Sequence, residues 1–147
     1  MSATNAFETS LLGLIITNVD AANVGDAAGL QNSAAAGVFW ISLHTSTGPA
    51  DAGDQTTREA AYGSYARQDE ARDTAQWTVT GNTADNDNAI GFPAATSGSE
   101  TETYFGLGSA SSGAGNLFLW GALTASLAVS SGITPSFAAG ALDITLD

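Results

Sequence analysis

Val38-Phe39-Trp40-Ile41-Ser42-Leu43-His44 is a short run dominated by β-branched, aromatic and aliphatic residues, and Thr45-Ser46-Thr47-Gly48-Pro49-Ala50-Asp51-Ala52-Gly53-Asp54 closes it with a polar segment. A run of this length bounded by Gly and Pro reads as a strand, because a helix of the same length buries too little to hold itself. From Gly37 onward the pattern repeats. Further strand candidates are residues 65–72, 76–80, 89–92, 101–107, 117–123, 127–129 and 142–146, with Gly81-Asn82, Ser112-Gly113 and Ser131-Gly132 supplying turn chemistry between them. The expected fold is all-β, a jelly-roll-like antiparallel sandwich of about eight strands. It carries residues 37–147, preceded by a helix and connection over residues 1–36, in a chain that reads as a single domain.

The helix is read around Leu11-Leu12-Gly13-Leu14-Ile15-Ile16. Thr4 or Asn5 can cap it, Glu8 in the first turn suits the dipole, and Asn18 can end it. Phe7, Leu11, Leu14 and Ile15 are expected on one apolar face, which either packs on its own domain or docks on a neighbouring subunit. The apolar stretch is too short to span a bilayer, and no basic stretch precedes it as a secretory signal requires. The alanine-rich segments 20–37 and 136–141 are interrupted by Val, Leu or Phe and read as connections.

Composition narrows the function. The chain has 147 residues and a formal charge of −12, with three arginines, no lysine and no cysteine. Phosphate neutralisation needs cations, so nucleic acid is excluded as a general partner, and an anionic membrane surface is disfavoured for the same reason. Without Cys there is no disulfide framework, thiolate nucleophile or Cys-based zinc site. Only 12% of residues are charged while 44% are hydrophobic. This is a folded chain with a weakly charged surface, the kind that is covered in an assembly.

Chemistry is sparse. His44, the one histidine, has no recognisable nucleophile or acid beside it in sequence and reads as structural. Asp85-Asn86-Asp87-Asn88 alternates oxygen donors, but the sixth and twelfth positions counted from Asp85 are Ile90 and Thr96, not the Gly and Glu of a calcium loop. It reads as an acidic turn. Gly106-Leu107-Gly108 lacks the third glycine and the helix start of a dinucleotide fingerprint. Trp40, Trp77 and Trp120 lie in strand-like runs where core packing is the default. Arg58, Arg67 and Arg72 are expected in ion pairs. No catalytic residue, cofactor site or metal site is assigned, and the chain reads as a non-enzyme.

Several stretches then combine: Asn5-Ala6-Phe7-Glu8-Thr9-Ser10-Leu11-Leu12; Trp40-Ile41-Ser42-Leu43-His44-Thr45 with Gly48-Pro49 and Asp51-Ala52-Gly53; Tyr62-Gly63-Ser64-Tyr65-Ala66-Arg67; Ala89-Ile90-Gly91-Phe92-Pro93; Thr103-Tyr104-Phe105-Gly106-Leu107-Gly108; Leu119-Trp120-Gly121-Ala122-Leu123-Thr124; and Phe137-Ala138-Ala139-Gly140-Ala141-Leu142. In order and spacing they resemble a family of small tailed-bacteriophage virion proteins, often labelled tail-fibre proteins and similar to head cement or decoration proteins with a jelly-roll fold. The resemblance implies a structural virion component with no catalytic residues to carry over.

The function expected from it is capsid cement. Such a protein is made in the host cytoplasm and sits on the phage head surface, touching the major capsid protein and other copies of itself as a dimer or trimer. Many modest contacts supply avidity, and an acidic exterior is repelled by the packaged DNA. The contact residues expected are Phe7, Leu11, Leu14 and Ile15 on the helix and Pro49, Asp51, Asp54 and Arg58 around the polar loop. The alternative is a tail-associated module that binds carbohydrate or a receptor, with Tyr62, Tyr65 and Trp77 as the candidate exposed aromatics.

Overall fold

The computed structural model describes residues 3–146. The fold is all-β with a single helix, α1 (Asn5–Ile16), and antiparallel sheets. The strands are β1 (Val38–Thr45), β2 (Gln68–Ala71), β3 (Trp77–Thr80), β4 (Thr83–Asn86), β5 (Ile90–Gly91), β6 (Ser99–Gly108), β7 (Leu117–Ser130), β8 (Ser136–Phe137) and β9 (Asp143–Thr145). Two compact units are formed from interleaved stretches. One takes the chain up to Gly37, Ala71–Ile90 and the chain from Phe137 on; the other takes Val38–Glu70 and Gly91–Ser136.

In the helical unit, Thr4 caps α1 from an extended conformation, its side chain accepting the Phe7 N–H. Asn18 adopts φ 56°, and the Val19 N–H closes on the Gly13 carbonyl at 3.0 Å. That left-handed stop is what an Asn just past the helix supplies. The buried face is not the expected one. Glu8, Leu12 and Ile16, spaced by four, point inward, while Phe7 is 44% exposed and Leu11, Leu14 and Ile15 are half-buried. Aliphatic residues occupy nearly every position from 11 to 16, so periodicity alone does not select a face.

The same unit holds the sheet β3-β4-β9, with Trp77, Ala84 and Ile144 buried on it. β4 was not expected. The residues read as an acidic turn supply its end, where Asn86 is buried and holds the chain near the C-terminus. Its amide donates to Ala138 O at 2.9 Å, and its oxygen accepts the N–H groups of Ala141 and Leu142 at 3.1 and 2.8 Å. Beside it, Asp85 faces Asp143 across β4 and β9. A hydrogen bond to Asp143 is the first cause raising the Asp85 carboxyl above its ordinary value, followed by burial and the charge of Asp143.

In the other unit a four-stranded sheet runs β2-β1-β6-β7. β1 is central and covered on both faces. Ile41 and Leu43 face Leu107 and Phe105, while Trp40, Ser42 and His44 oppose Gly108, Gly106 and Tyr104. The glycines make room for what lies over them: a Cβ on Gly106 would come within 2.9 Å of both Ser42 Oγ and His44 Nε2. β7 had been read as two strands, 117–123 and 127–129. It is one strand with a wide bulge, where pairing with β6 jumps from Tyr104↔Ala122 to Glu102↔Leu127.

Candidate assembly surface

The polar residues of β1 form a buried clasp. His44 Nδ1 lies 3.0 Å from the Thr57 carbonyl and Nε2 lies 2.8 Å from Ser42 Oγ. Both ring nitrogens are satisfied if Nδ1–H donates to the carbonyl and Nε2 accepts the serine proton. Burial lowers the His44 pKa, so the ring stays neutral. A hydroxyl on an imidazole is half of a nucleophilic pair. Here the third group is a peptide carbonyl, and both side chains have 0% exposure, which denies a substrate any approach. The pair acts as a crosslink between β1 and the segment after the polar loop.

Further along that segment Glu59 and Arg67 form a two-pronged ion pair, Nε to Oε1 at 2.5 Å and Nη2 to Oε2 at 2.7 Å. The remaining guanidinium donors reach the carbonyls of Ala110 and Gly113 at 2.7 and 2.8 Å. Tyr65 donates its hydroxyl proton to Glu59 and accepts the Leu43 N–H, each at 3.0 Å. Gln55, fully buried, fills the space left by Gly108 and Gly115 and accepts the Ala110 N–H at 2.9 Å. Two loops, 55–67 and 109–115, are thereby fixed to the sheet.

That fixed sheet presents β7 as its outermost strand, with no strand beyond it among the described residues. Trp120, 37% exposed, and Ala122 project on one face of the strand, while Phe118, 52% exposed, stands at a bulge where pairing passes from Leu119↔Leu107 to Leu117↔Gly108 and turns to the other face. Tyr104 stands against Trp120 with ring centroids 5.6 Å apart and is itself seated on Gly48, where a Cβ would meet its ring at 2.8 Å. The edge of Phe118 meets the buried Phe39 at 6.1 Å between centroids. Rings anchored in this way offer apolar contact area at little cost in side-chain freedom. Residues 103–142 contain no charged side chain, so the strip is neutral on a chain of charge −12.

One protein family has a model, described as podophage GP4 fiber I protein gp80, that matches residues 15–145. The chain belongs to this family of phage fibre proteins. No curated protein gave a match. Family membership makes the chain a structural bacteriophage virion protein and implies a non-enzymatic role. Among the described residues no helix is long and apolar enough to cross a membrane.

The contact residues expected for this fibre-family chain fall in different units. Phe7, Leu11, Leu14 and Ile15 lie on α1 with their side chains wholly or partly accessible. In the other unit Pro49 is buried and Asp51 is exposed. Asp54 turns its carboxylate back on its own loop, accepting from the Thr56 hydroxyl at 2.6 Å and N–H at 2.9 Å, which lowers its pKa. Arg58 is exposed and donates to Gly48 O at 2.6 Å. The expected ion pairing holds for Arg67 with Glu59. Arg72 reaches the carbonyls of Ile15, Leu14 and Ala36, closing the C-terminal end of α1.

Of the aromatics expected to stand exposed for a sugar, Trp77 and Tyr62 are buried and Tyr65 is tied to Glu59. Trp120, expected in the core, is the ring that faces out. Its signal was available in the alternation Trp120, Ala122 against Leu119, Gly121, but an apolar residue stands at both parities, which conceals which face is wet.

Proposed function

We propose that this chain is a structural subunit of the tail-fibre apparatus and works by lying against other virion subunits through the neutral aromatic strip of β7. The observation that carries the proposal is the exposure of Phe118 and Trp120 on an uncharged outermost strand, where a soluble free monomer ordinarily places charge. The family description favours a fibre location. Head cement on the major capsid protein, expected from sequence, needs the same kind of surface and differs in where the protein sits. Mass spectrometry on separated heads and tails, with immunogold labelling of intact virions, tests the choice. Enrichment in the tail fraction supports the fibre role; enrichment on heads assigns the chain to the capsid and overturns it.

A further inference from the structure

We infer that β7 is a self-association edge, at which two copies of this chain pair antiparallel about a two-fold axis passing by Trp120. The inference deepens the reading of the chain as an assembly subunit and rests on it. An outermost strand carries a row of backbone N–H and C=O groups that only another strand satisfies in full. Edge strands that must stay single carry Lys, Pro, inward-pointing charge or bulges. β7 has none of the first three over its 14 residues, and its bulges, at Phe118 and at residues 123–126, leave a regular stretch between them whose inner register runs unbroken from Leu119↔Leu107 to Ala122↔Tyr104.

Charge selects the occupant. A basic partner is drawn to acidic surface, whereas another copy of charge −12 is repelled everywhere except where charge is absent, and residues 103–142 supply that absence around β7. The strand also complements itself. With Trp120 on the axis, Leu119 of one copy lies opposite Gly121 of the other, so on that face each large side chain meets a small one. The two tryptophans meet at the centre, where interface energy concentrates. Such an interface is isologous and closes on itself as a dimer.

Sedimentation velocity on the purified full chain, over a concentration series, tests this. The expected result is a dimer for the wild type and a monomer for Ala122→Lys, with unchanged far-ultraviolet circular dichroism because Ala122 is exposed. Trp120→Cys gives a second reading: the native chain has no thiol, so mild oxidation should produce a covalent dimer, while Ser112→Cys, in an exposed loop, should not. A wild-type monomer at all concentrations, a trimer, or a dimer untouched by Ala122→Lys and not captured by Trp120→Cys would overturn the inference. Virion location is measured independently of purified protein, so failure of the dimer and failure of the fibre role are separable.

Discussion

Glu102 makes the stability of this protein depend on pH in an unusual direction. It lies in β6 with 0% exposure, and neither carboxyl oxygen has a partner in hydrogen-bonding geometry. Burial first, and the charge of Glu100 second, push its pKa up to about 8 from an ordinary 4.5. Between those values the folded chain keeps its proton while the unfolded chain has lost it, so stability falls as pH rises. The contribution is fully present below pH 4.5 and is lost as pH climbs to about 8. At about 1.4 kcal/mol for each pH unit the ceiling is about 5 kcal/mol. Water entry and local relaxation reduce buried-charge penalties well below such limits, and we expect about 2–3 kcal/mol.

Glu102→Gln keeps the shape and removes the titration. Urea unfolding of wild type and variant from about pH 5 to about pH 8.5 should therefore show the variant gaining about 2–3 kcal/mol relative to the wild type across the range. His44 acts oppositely: burial lowers its pKa, so the unfolded chain takes up a proton below about 6.5 and stability rises with pH there. The residue is present in both proteins, so its effect cancels in the difference. Two parallel stability curves would refute the reasoning, because they would mean that Glu102 ionises alike in both states.

Other perturbations follow from the same geometry. Arg67→Met should cost about 2–4 kcal/mol in denaturant unfolding, because it strands the partly buried Glu59 carboxylate and the Ala110 and Gly113 carbonyls; a loss under 1 kcal/mol would place the pair in solvent. Gly106→Ala should cost about 1–3 kcal/mol by driving a methyl group into Leu117, Ser42 and His44, read by denaturant unfolding. Asn86→Ala leaves the buried Leu142 N–H unmet and should cost about 1–3 kcal/mol. Amide exchange would check it, faster exchange at residue 142 being the expected sign. Asp143→Asn should lower the Asp85 pKa, read by carboxyl NMR titration; an unchanged value would mean that Asp143 is not what raises it.

Local and compositional properties were legible without coordinates. The β class follows from short apolar runs between Gly, Asn and Pro, and the Thr4 cap and the Asn18 stop from backbone chemistry within one helical turn. Each depends on residues near one another in sequence. Tertiary structure decided what a residue faces. Leu12 and Ile16 are buried in preference to Leu11 and Ile15, Trp77 is inside while Trp120 is outside, and the polar Thr83–Asn86 run is a strand because Trp77–Thr80 and Asp143–Thr145 pair with it. The lack of a hydrogen-bond partner for the buried Glu102 carboxyl and the outermost place of β7 belong to the same class. Burial and pairing are settled by neighbours distant along the chain, and where apolar residues stand at every position of a run, its periodicity carries no record of which side those neighbours cover.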